Sequence, residues 1–311
     1  METARNLTVK TLFYTDQYTI PLPDGHRFPI AKYRLLRELL AANGCFRFEV
    51  APLAEREVIE LVHDREYVEA FLNGTLSPQA IRRIGFPWSE GLVKRTLASV
   101  GGTLAATREA MANGWGGNLA GGTHHAFRGE GSGYCVFNDI AVAIEWLRST
   151  GQVKRAAVVD LDVHQGDGTA QIFQDEPDVL TLSLHCEVNF PFRKQQSKID
   201  VSLPEGVGDG EYLEALQSVL PRVFEFEPEI VFFQAGVDVL ASDALGKLQL
   251  SPQGVKARDE MVISAVKSAS LPLVITIGGG YSKPIELTAE AHATTYRTAL
   301  RIFDGVNEAV A

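Results

Sequence analysis

The feature that most constrains the fold is the alternation of short apolar runs, rich in β-branched residues, with longer amphipathic segments. Such runs are typical of strands buried on both faces, and apolar residues at helical spacing predict helices between them. A chain that alternates strands and helices forms a mostly parallel sheet covered by helices. The predicted strands are residues 9–14, 156–160, 179–184, 230–234 and 273–277, and the predicted helices are residues 28–40, 88–113, 138–150, 212–226 and 251–268.

Composition places the chain among globular proteins. Its 311 residues are 45% hydrophobic and 22% charged, which allows a sizeable core and excludes a disordered or low-complexity protein. No repeat, Gly/Ser linker or composition shift marks a domain boundary, and α/β folds often reach this length as one domain. We therefore predict one three-layer α/β domain over residues 1–311, without a separate targeting or recognition module. Loops are predicted at 73–91, 119–133 and 187–210, where Gly, Pro and Ser cluster.

Charge and terminal sequence exclude several functions. The chain has 29 Lys and Arg against 39 Asp and Glu, a formal net charge of −10, and no basic run longer than the pair Arg82 and Arg83. Nucleic-acid binding needs clustered cations, so no nucleic-acid partner is expected, whereas a basic peptide remains allowed. The N-terminus lacks the apolar stretch of a signal peptide and no segment suits a membrane span, so we expect a cytoplasmic protein. Three cysteines without metal-type spacing argue against a disulfide framework.

Acidic residues and a histidine follow the second predicted strand. Side chains two apart on a strand face the same side, so Asp160, Asp162 and His164 are expected to converge where it ends. Their oxygen and nitrogen atoms suit a divalent transition metal such as zinc, although a capped turn whose aspartates bind backbone amides is a competing interpretation. Asp238 follows the fourth predicted strand and predicts a third ligand, although alone it is more typical of a helix N-cap. Two aspartates and one histidine leave a coordination position open, as in catalytic rather than structural zinc sites.

A glycine-rich loop carries two adjacent histidines, His124 and His125. Neighbouring imidazoles are rarely needed for packing, because each buried ring has two nitrogens to satisfy. If both approach the metal, one can serve as the base for the attacking water. Asp160 and Asp167 are then available to orient the two rings through their other nitrogens.

Gly278, Gly279, Gly280 and Tyr281 follow the last predicted strand. Glycine lets the backbone approach a ligand closely, and a phenol beside it can donate a hydrogen bond to a developing oxyanion. A phosphate-binding loop is the rival interpretation, but neither GxxxxGK[ST] nor GxGxxG follows. Together these segments predict a metal-dependent hydrolase that acts on a carbonyl.

Longer motifs occur at PLPDGHRFP 21–29, GGTHHAF 121–127, GSGYCVFND 131–139, DLDVHQGDGT 160–169, LSLH 182–185, QAGVDVLASDALG 234–246 and GGGY 278–281. In this order they resemble the zinc-dependent histone deacetylases and their bacterial relatives, which include acetoin-utilisation proteins and acetylpolyamine amidohydrolases. The resemblance covers nearly the whole chain. It implies an arginase/deacetylase α/β fold, a single three-layer domain with a central, mostly parallel sheet of about eight strands.

The resemblance also implies roles for particular residues. His125, oriented by Asp167, corresponds to the general base, and Tyr281 to the phenol that polarises the carbonyl. His124, oriented by Asp160, corresponds to the histidine near the leaving amine, and which histidine protonates that amine stays open. The implied zinc ligands are Asp162, His164 and Asp238; the implied substrate-binding positions are Gly133, Tyr134, Phe190, Leu245, Gly279 and Gly280; and a structural potassium ion would use the backbone of Asp160, Asp162, His164 and Leu184 together with Ser183.

Several departures from the family pattern bear on the substrate. Tyr134 stands where most members have Phe, and Phe190 follows LSLH at a shorter spacing than usual. Residues 85–90 offer no clear counterpart of the rim aspartate that grips the substrate backbone in eukaryotic members. Gly166 replaces the second bridging aspartate of arginases, which favours a single metal and amide hydrolysis over guanidine hydrolysis. A histone substrate is therefore not implied.

We predict a zinc amidohydrolase that removes acetyl or another short acyl group from lysine side chains of proteins. One alternative is deacylation of a small acylated amine such as an acetylpolyamine. An alternative of another class is a catalytically silent protein that senses acyl groups, but such a protein would be expected to have lost a ligand, the base or the tyrosine. Fe(II) and Co(II) accept the same ligands as zinc, and the sequence leaves the metal and the oligomeric state open.

Overall fold

The computed structural model describes residues 9–42 and 44–306. Within this part of the chain, eight strands form one open sheet in the order β2-β1-β3-β8-β7-β4-β5-β6, and every neighbouring pair is parallel. The prediction of a mostly parallel sheet of about eight strands in a three-layer α/β fold is confirmed. The strands are β1 Lys10–Tyr14, β2 Phe46–Val50, β3 Trp115–Asn118, β4 Ala156–Asp160, β5 Val179–Cys186, β6 Ile199–Leu203, β7 Ile230–Gln234 and β8 Leu273–Thr276.

Helices flank the sheet, and apolar side chains from both layers join those of the strands in one contiguous core. None of the helices in residues 9–42 and 44–306 has the length and apolar character that a membrane span requires. Residues 1–8, on which the expectation of no signal peptide rests, lie outside the described residues. The helices are α1 Ala31–Ala41, α2 Arg56–Ile59, α3 Arg65–Leu72, α4 Pro78–Ile84, α5 Glu90–Asn113, α6 Asp139–Ser149, α7 Asp167–Ile172, α8 Asp209–Glu225, α9 Pro252–Ser268 and α10 Glu286–Asp304.

Some elements do not show the pattern that the sequence prediction relied on. Strand β3 is Trp-Gly-Gly-Asn, and glycine is depleted in strands, whereas β2 and β6 lie at the two edges of the sheet and carry polar residues. Helix α10 buries threonines and a histidine, which weaken its apolar periodicity. The predicted loops 73–91 and 187–210 were partly wrong, because they contain α4 and β6.

The strand order determines where the functional loops meet. Strands β3, β8, β7 and β4 are consecutive at the centre of the sheet and parallel, although they are far apart in the chain. Their carboxyl ends therefore open on one edge, which is where ligands bind in open α/β sheets. The four segments singled out in the sequence each follow one of these four strands.

Candidate active site

Asp162, His164 and Asp238 form a candidate metal-binding group at the ends of β4 and β7. One ligand atom from each lies within 4.8 Å of the others. The Nδ1 atom of His164 lies 3.0 Å from Asp162 Oδ1 and 3.2 Å from Asp238 Oδ2. Both carboxylates are almost wholly buried, and two buried carboxylates facing one imidazole need a cation. The donor set therefore fits a divalent metal ion.

The pKa values of Asp238 and His164 are shifted because these charged side chains are buried close together. Burial, together with the neighbouring Asp162 carboxylate, raises the pKa of Asp238 to about 7. Burial alone lowers the pKa of His164, but the hydrogen bonds and charges of the two aspartates overcome it and raise the value to about 10. Both shifts express excess negative charge at the point where the three ligand atoms meet.

The competing interpretation, a turn whose aspartates bind backbone amides, is found in the structure, and metal binding by the same aspartates stays a prediction. Strand β4 ends at Asp160, and the following turn is fixed by carboxylates that accept backbone amides: Asp160 Oδ1 from Asp162 at 3.1 Å, and Asp162 Oδ1 from His164 at 3.0 Å. Asp238 Oδ1 accepts the N–H of Val163 at 2.8 Å and begins no helix, so the N-cap alternative was wrong. Asp160 does not join the metal group, because its second oxygen faces His124.

His124 and His125 each pair with one carboxylate through Nδ1. The distance is 2.7 Å from His124 to Asp160 Oδ2 and 2.6 Å from His125 to Asp167 Oδ1. The two ring centroids are 4.1 Å apart, and both side chains are buried. Nδ1–H of His125 donates to Asp167, which leaves its Nε2 as the acceptor.

The environments push the pKa values of the two histidines in opposite directions. Burial and the charge of His124 lower the pKa of His125 to about 4. Burial also disfavours the charged form of His124, but the adjacent Asp160 and Asp162 carboxylates outweigh it and raise the pKa of His124 to about 9. The two rings thus differ in proton affinity, and His124 is the more readily protonated of the pair.

Asp139 holds the loop that carries the two histidines, a role that sequence reasoning missed. This fully buried carboxylate accepts the backbone N–H of Gly122 at 3.0 Å and of Thr123 at 2.8 Å, and the hydroxyls of Thr123 and Thr103 at 2.6 and 2.5 Å. Asp139 lies in the GSGYCVFND motif, but no local pattern shows that it reaches a loop 16 residues away.

Gln234, the last residue of β7, joins the loop that carries the two histidines to the end of β8. Its amide nitrogen donates to the carbonyl of Gly122 at 2.7 Å, and its amide oxygen accepts the hydroxyl of Thr276 at 2.8 Å. Gly122 has a φ of +76°, and a Cβ there would collide with the Gln234 amide. The glycine before the paired histidines is therefore required by both conformation and space.

We expect Asp139→Asn to lower the free energy of unfolding by about 1–3 kcal/mol. The NH₂ group of the asparagine would face the buried N–H and O–H groups that now donate to the carboxylate, so some of these donors would lose their acceptor. Urea unfolding followed by circular dichroism measures the change. Asp175→Asn, at an exposed position, is the matched control and should change stability by less than about 0.5 kcal/mol. Equal stabilities of the two variants would contradict the role of Asp139.

His63 is a second structural residue that the sequence did not indicate. Its Nε2 accepts the N–H of Asn138 at 2.8 Å, and its Nδ1 lies 3.2 Å from the carbonyl of Arg128. The geometry requires a neutral ring with the proton on Nδ1. Burial correspondingly lowers the pKa of His63 to about 4.

This histidine should make stability sensitive to acid. His63 takes up its proton near pH 6.5 in the unfolded chain and near pH 4 in the folded chain. The stability that the neutral ring contributes to the folded state is therefore complete above pH 6.5 and is lost as the pH falls toward 4. His63→Gln retains an acceptor but does not titrate. The stability advantage of the wild type over this variant should shrink by about 1.4 kcal/mol per pH unit across that range, measured by urea unfolding. A constant difference would contradict the account.

Tyr281 is positioned by residues on two other segments, the turn at residues 243–245 and helix α1. Its backbone N–H donates to Asp243 Oδ2 at 2.6 Å, while Asp243 Oδ1 accepts the N–H of Leu245 at 2.8 Å. The buried Lys32 ammonium donates to the carbonyl of Gly278 at 2.9 Å and lies 5.5 Å from the centroid of the Tyr281 ring. Burial raises the pKa of Tyr281 well above its usual value, so the phenol stays protonated and remains a hydrogen-bond donor.

A cavity of about 820 Å³ opens beside these groups and is lined by His124, His125, Asp162, His164 and Tyr281. This is the size of a small-molecule binding site. It is also lined by five of the six residues predicted to bind substrate, namely Gly133, Tyr134, Phe190, Leu245 and Gly279.

Of the residues predicted to bind substrate, Phe190 and Gly133 lie beside His125, whereas Gly280 lies away from the cavity. Phe190 packs edge-on against His125 with centroids 4.9 Å apart, despite the short spacing that weakened its sequence assignment. Gly133 has a φ of +53°, and a Cβ there would lie 2.8 Å from the His125 ring. Gly280, predicted to bind substrate, does not line the cavity, because the side chains of Thr288, Val237 and His292 pack around it.

The predicted potassium residues lie together behind the metal group. Asp160 pairs in register with Ser183 on β5, and the buried Leu184 follows. The hydroxyl of Ser183 lies 3.0 Å from His185 Nδ1. Asp162 and His164 follow β4 at the same edge, so the residues are adjacent, and the ion itself stays a prediction.

The sheet is open and parallel, and its central strands end at a candidate metal group and two histidine–aspartate pairs, an arrangement typical of hydrolases of α/β architecture. Residues 26–298 match the model of the histone deacetylase domain, so the chain belongs to the histone deacetylase family. The resemblance seen in the sequence is thereby confirmed.

Individual relatives cover most of the chain. An uncharacterized protein of Picosynechococcus sp. is 46% identical over 294 residues, spanning 93% of this chain and 98% of that protein. Histone deacetylase 2 of Arabidopsis thaliana is 30% identical, spanning 89% of this chain and 76% of its own length. A histone deacetylase-like amidohydrolase of Pseudomonas aeruginosa is 32% identical, spanning 85% of this chain and 74% of its own.

Proposed function

We propose that this protein is a zinc-dependent amidohydrolase that removes acetyl or another short acyl group from lysine side chains. The observation that carries the proposal is that one cavity is lined by a metal ligand pair, both paired histidines and the Tyr281 phenol. These are the parts that amide hydrolysis needs: an activated water, a base and a donor for the carbonyl oxygen. The amidohydrolase name of the Pseudomonas relative supports the same reaction class.

The metal would be held by Asp162, His164 and Asp238. When bound there, a divalent ion supplies Lewis-acid polarisation of the carbonyl and lowers the pKa of the attacking water. Two carboxylates and one imidazole suit zinc, and they also accept Fe(II) or Co(II). We further propose a structural potassium ion that is bound by the backbone of Asp160, Asp162, His164 and Leu184 together with Ser183.

His125 acts as the general base in this proposal. Its Nδ1–H is held by Asp167 at 2.6 Å, so the neutral ring presents Nε2 to the cavity and removes the proton from the attacking water. Asp167 fixes the tautomer and stabilises the imidazolium that forms.

Tyr281 and His124 act on the other groups of the amide. The protonated phenol donates a hydrogen bond to the oxygen that becomes negative as the carbonyl is attacked. His124, charged through its pairing with Asp160, stabilises negative charge developing in the cavity. Collapse of the tetrahedral species requires a proton on the departing amine, which His125 or His124 delivers.

The mouth of the cavity favours a protein substrate over a polyamine. Exposed Arg27 and Arg82 line it, whereas Asp162, the one acidic lining residue in the described part of the chain, is buried. A polycationic amine meets like charges at this entrance, which costs affinity. An acyl-lysine in a peptide presents one neutral amide and needs no anionic rim.

An activity panel tests the proposal. Acyl-lysine peptides of increasing acyl length and acetylpolyamines are compared for metal-loaded protein with and without chelator. We expect hydrolysis of a short acyl-lysine peptide that the chelator abolishes and zinc restores. Failure of every amide substrate in metal-loaded protein would overturn the proposal and favour an acyl-sensing protein.

A further inference from the structure

Arg95 is a buried cation that the reaction described above does not use. It lies on α5, is 7% exposed and lines the catalytic cavity. Its Nη1 atom is buried without a hydrogen-bond partner among the described residues. A buried charge without a partner is strongly unfavourable, so the site is built to receive an acceptor from outside the chain.

The surroundings of Arg95 hold its guanidinium in place without neutralising it. The group lies over the ring of Tyr33 at 4.1 Å and near that of Phe28 at 5.7 Å, both measured to the ring centroid. Both aromatic residues also line the cavity. Aromatic faces stabilise a guanidinium but leave its N–H groups free for a planar anion.

The polar lining near Arg95 offers further donors and no competing acid. Thr96 and Ser99 follow on the same helix and line the cavity, and Ser99, four residues on, shares the helix face of Arg95. Among the described residues, five lysines and arginines line the cavity against one acidic residue, Asp162. Arg83 and Lys247 are paired with Glu130 and Glu205 outside the lining, whereas no such ion pair is formed by Arg95 within the described part of the chain.

We propose that Arg95 forms a carboxylate subsite of the catalytic cavity and that the enzyme accepts acyl groups that end in a carboxylate. This inference rests on the proposed amide hydrolysis. The reaction consumes one water, breaks the amide C–N bond and gives a dicarboxylic acid and the free amine. A guanidinium binds a carboxylate through two parallel, charge-assisted hydrogen bonds, whereas a methyl-terminated chain of equal length leaves the buried cation unpaired.

The test compares peptides with N-ε-glutaryl-lysine and N-ε-pentanoyl-lysine, which have five-carbon acyl chains ending in a carboxylate and a methyl group. For the wild type, we expect kcat/KM for the glutaryl peptide to be about ten-fold higher or more. Arg95→Met should abolish the preference. Arg65→Met, at an exposed arginine that does not line the cavity, is the control and should leave the preference for the glutaryl peptide unchanged.

A binding measurement keeps this test separate from the proposed function. Thermal shift with glutarate, acetate or neutral glutaramide needs neither turnover nor a variant, and the acids but not the amide should stabilise the wild type. Stabilisation by both acids without a glutaryl preference would overturn the dicarboxylic substrate and assign the subsite to the released carboxylate. No stabilisation by either acid and no acyl preference would overturn the subsite itself.

Discussion

Replacement of His125 by alanine is expected to lower turnover of an acyl-lysine peptide by about 10²–10⁴-fold while the protein still binds its metal. The reason is the division of roles in the site: His125 pairs with Asp167, whereas the metal group consists of three other residues. Steady-state kinetics and metal analysis of the purified variant measure the two effects.

Two measurements on the His125→Ala variant show whether the rest of the site stays intact. Metal content and the thermal unfolding midpoint should stay close to the wild-type values, because the loop is held chiefly through Asp139 and Gln234. Turnover equal to that of the wild type would show that His125 is not the base. A loss of turnover accompanied by loss of metal would show a structural rather than a catalytic role.

Asp238→Asn is expected to reduce metal affinity by more than about 100-fold and to bring turnover to the background level. A residue that only orients a ligand costs about 10–100-fold in metal affinity, and Asp238 faces the metal position directly. The amide oxygen of the variant can still accept the N–H of Val163, which Asp238 binds at 2.8 Å, so the turn is retained.

Chelation of the wild type is the matched comparison for this variant. The chelated wild type should lose activity and regain it with added zinc, whereas Asp238→Asn should not recover at the same zinc concentration. Full activity of the variant with wild-type metal content would remove Asp238 from the ligand set.

The sequence predicted the fold and the chemical groups because both are encoded locally. Short apolar runs such as Ile230–Gln234, which combine β-branched and aromatic residues, indicate doubly buried strands by their length and composition. Polar residues such as Asp162 and Tyr281 stand out directly after such runs. Strand β3 escaped detection, since Trp-Gly-Gly-Asn carries no strand pattern, yet the loop after it holds both histidines.

Residues that act through space could not be predicted in the same way. Asp139, Asp243 and His63 position loops that are distant in the chain, and their side chains look like ordinary polar residues in the sequence. Arg95 lies within an amphipathic helix pattern that predicts only a surface or boundary position. The structure buries its guanidinium against aromatic rings and leaves the Nη1 atom without a hydrogen-bond partner among the described residues, which the sequence does not show.

The sequence by itself determined the class of fold and singled out the candidate metal-binding, histidine, aspartate and tyrosine residues, because strand propensity and residue type are local properties. Only the tertiary structure decided which loops meet, since the order β3-β8-β7-β4 depends on packing between strands whose paired residues are 42 to 158 residues apart in the chain. It also turned Asp160 toward His124, excluded Gly280 from the cavity and buried the Nη1 atom of Arg95 without a hydrogen-bond partner among the described residues. The reason is that the burial of a side chain and the positions of its neighbouring charges are set only when the chain folds.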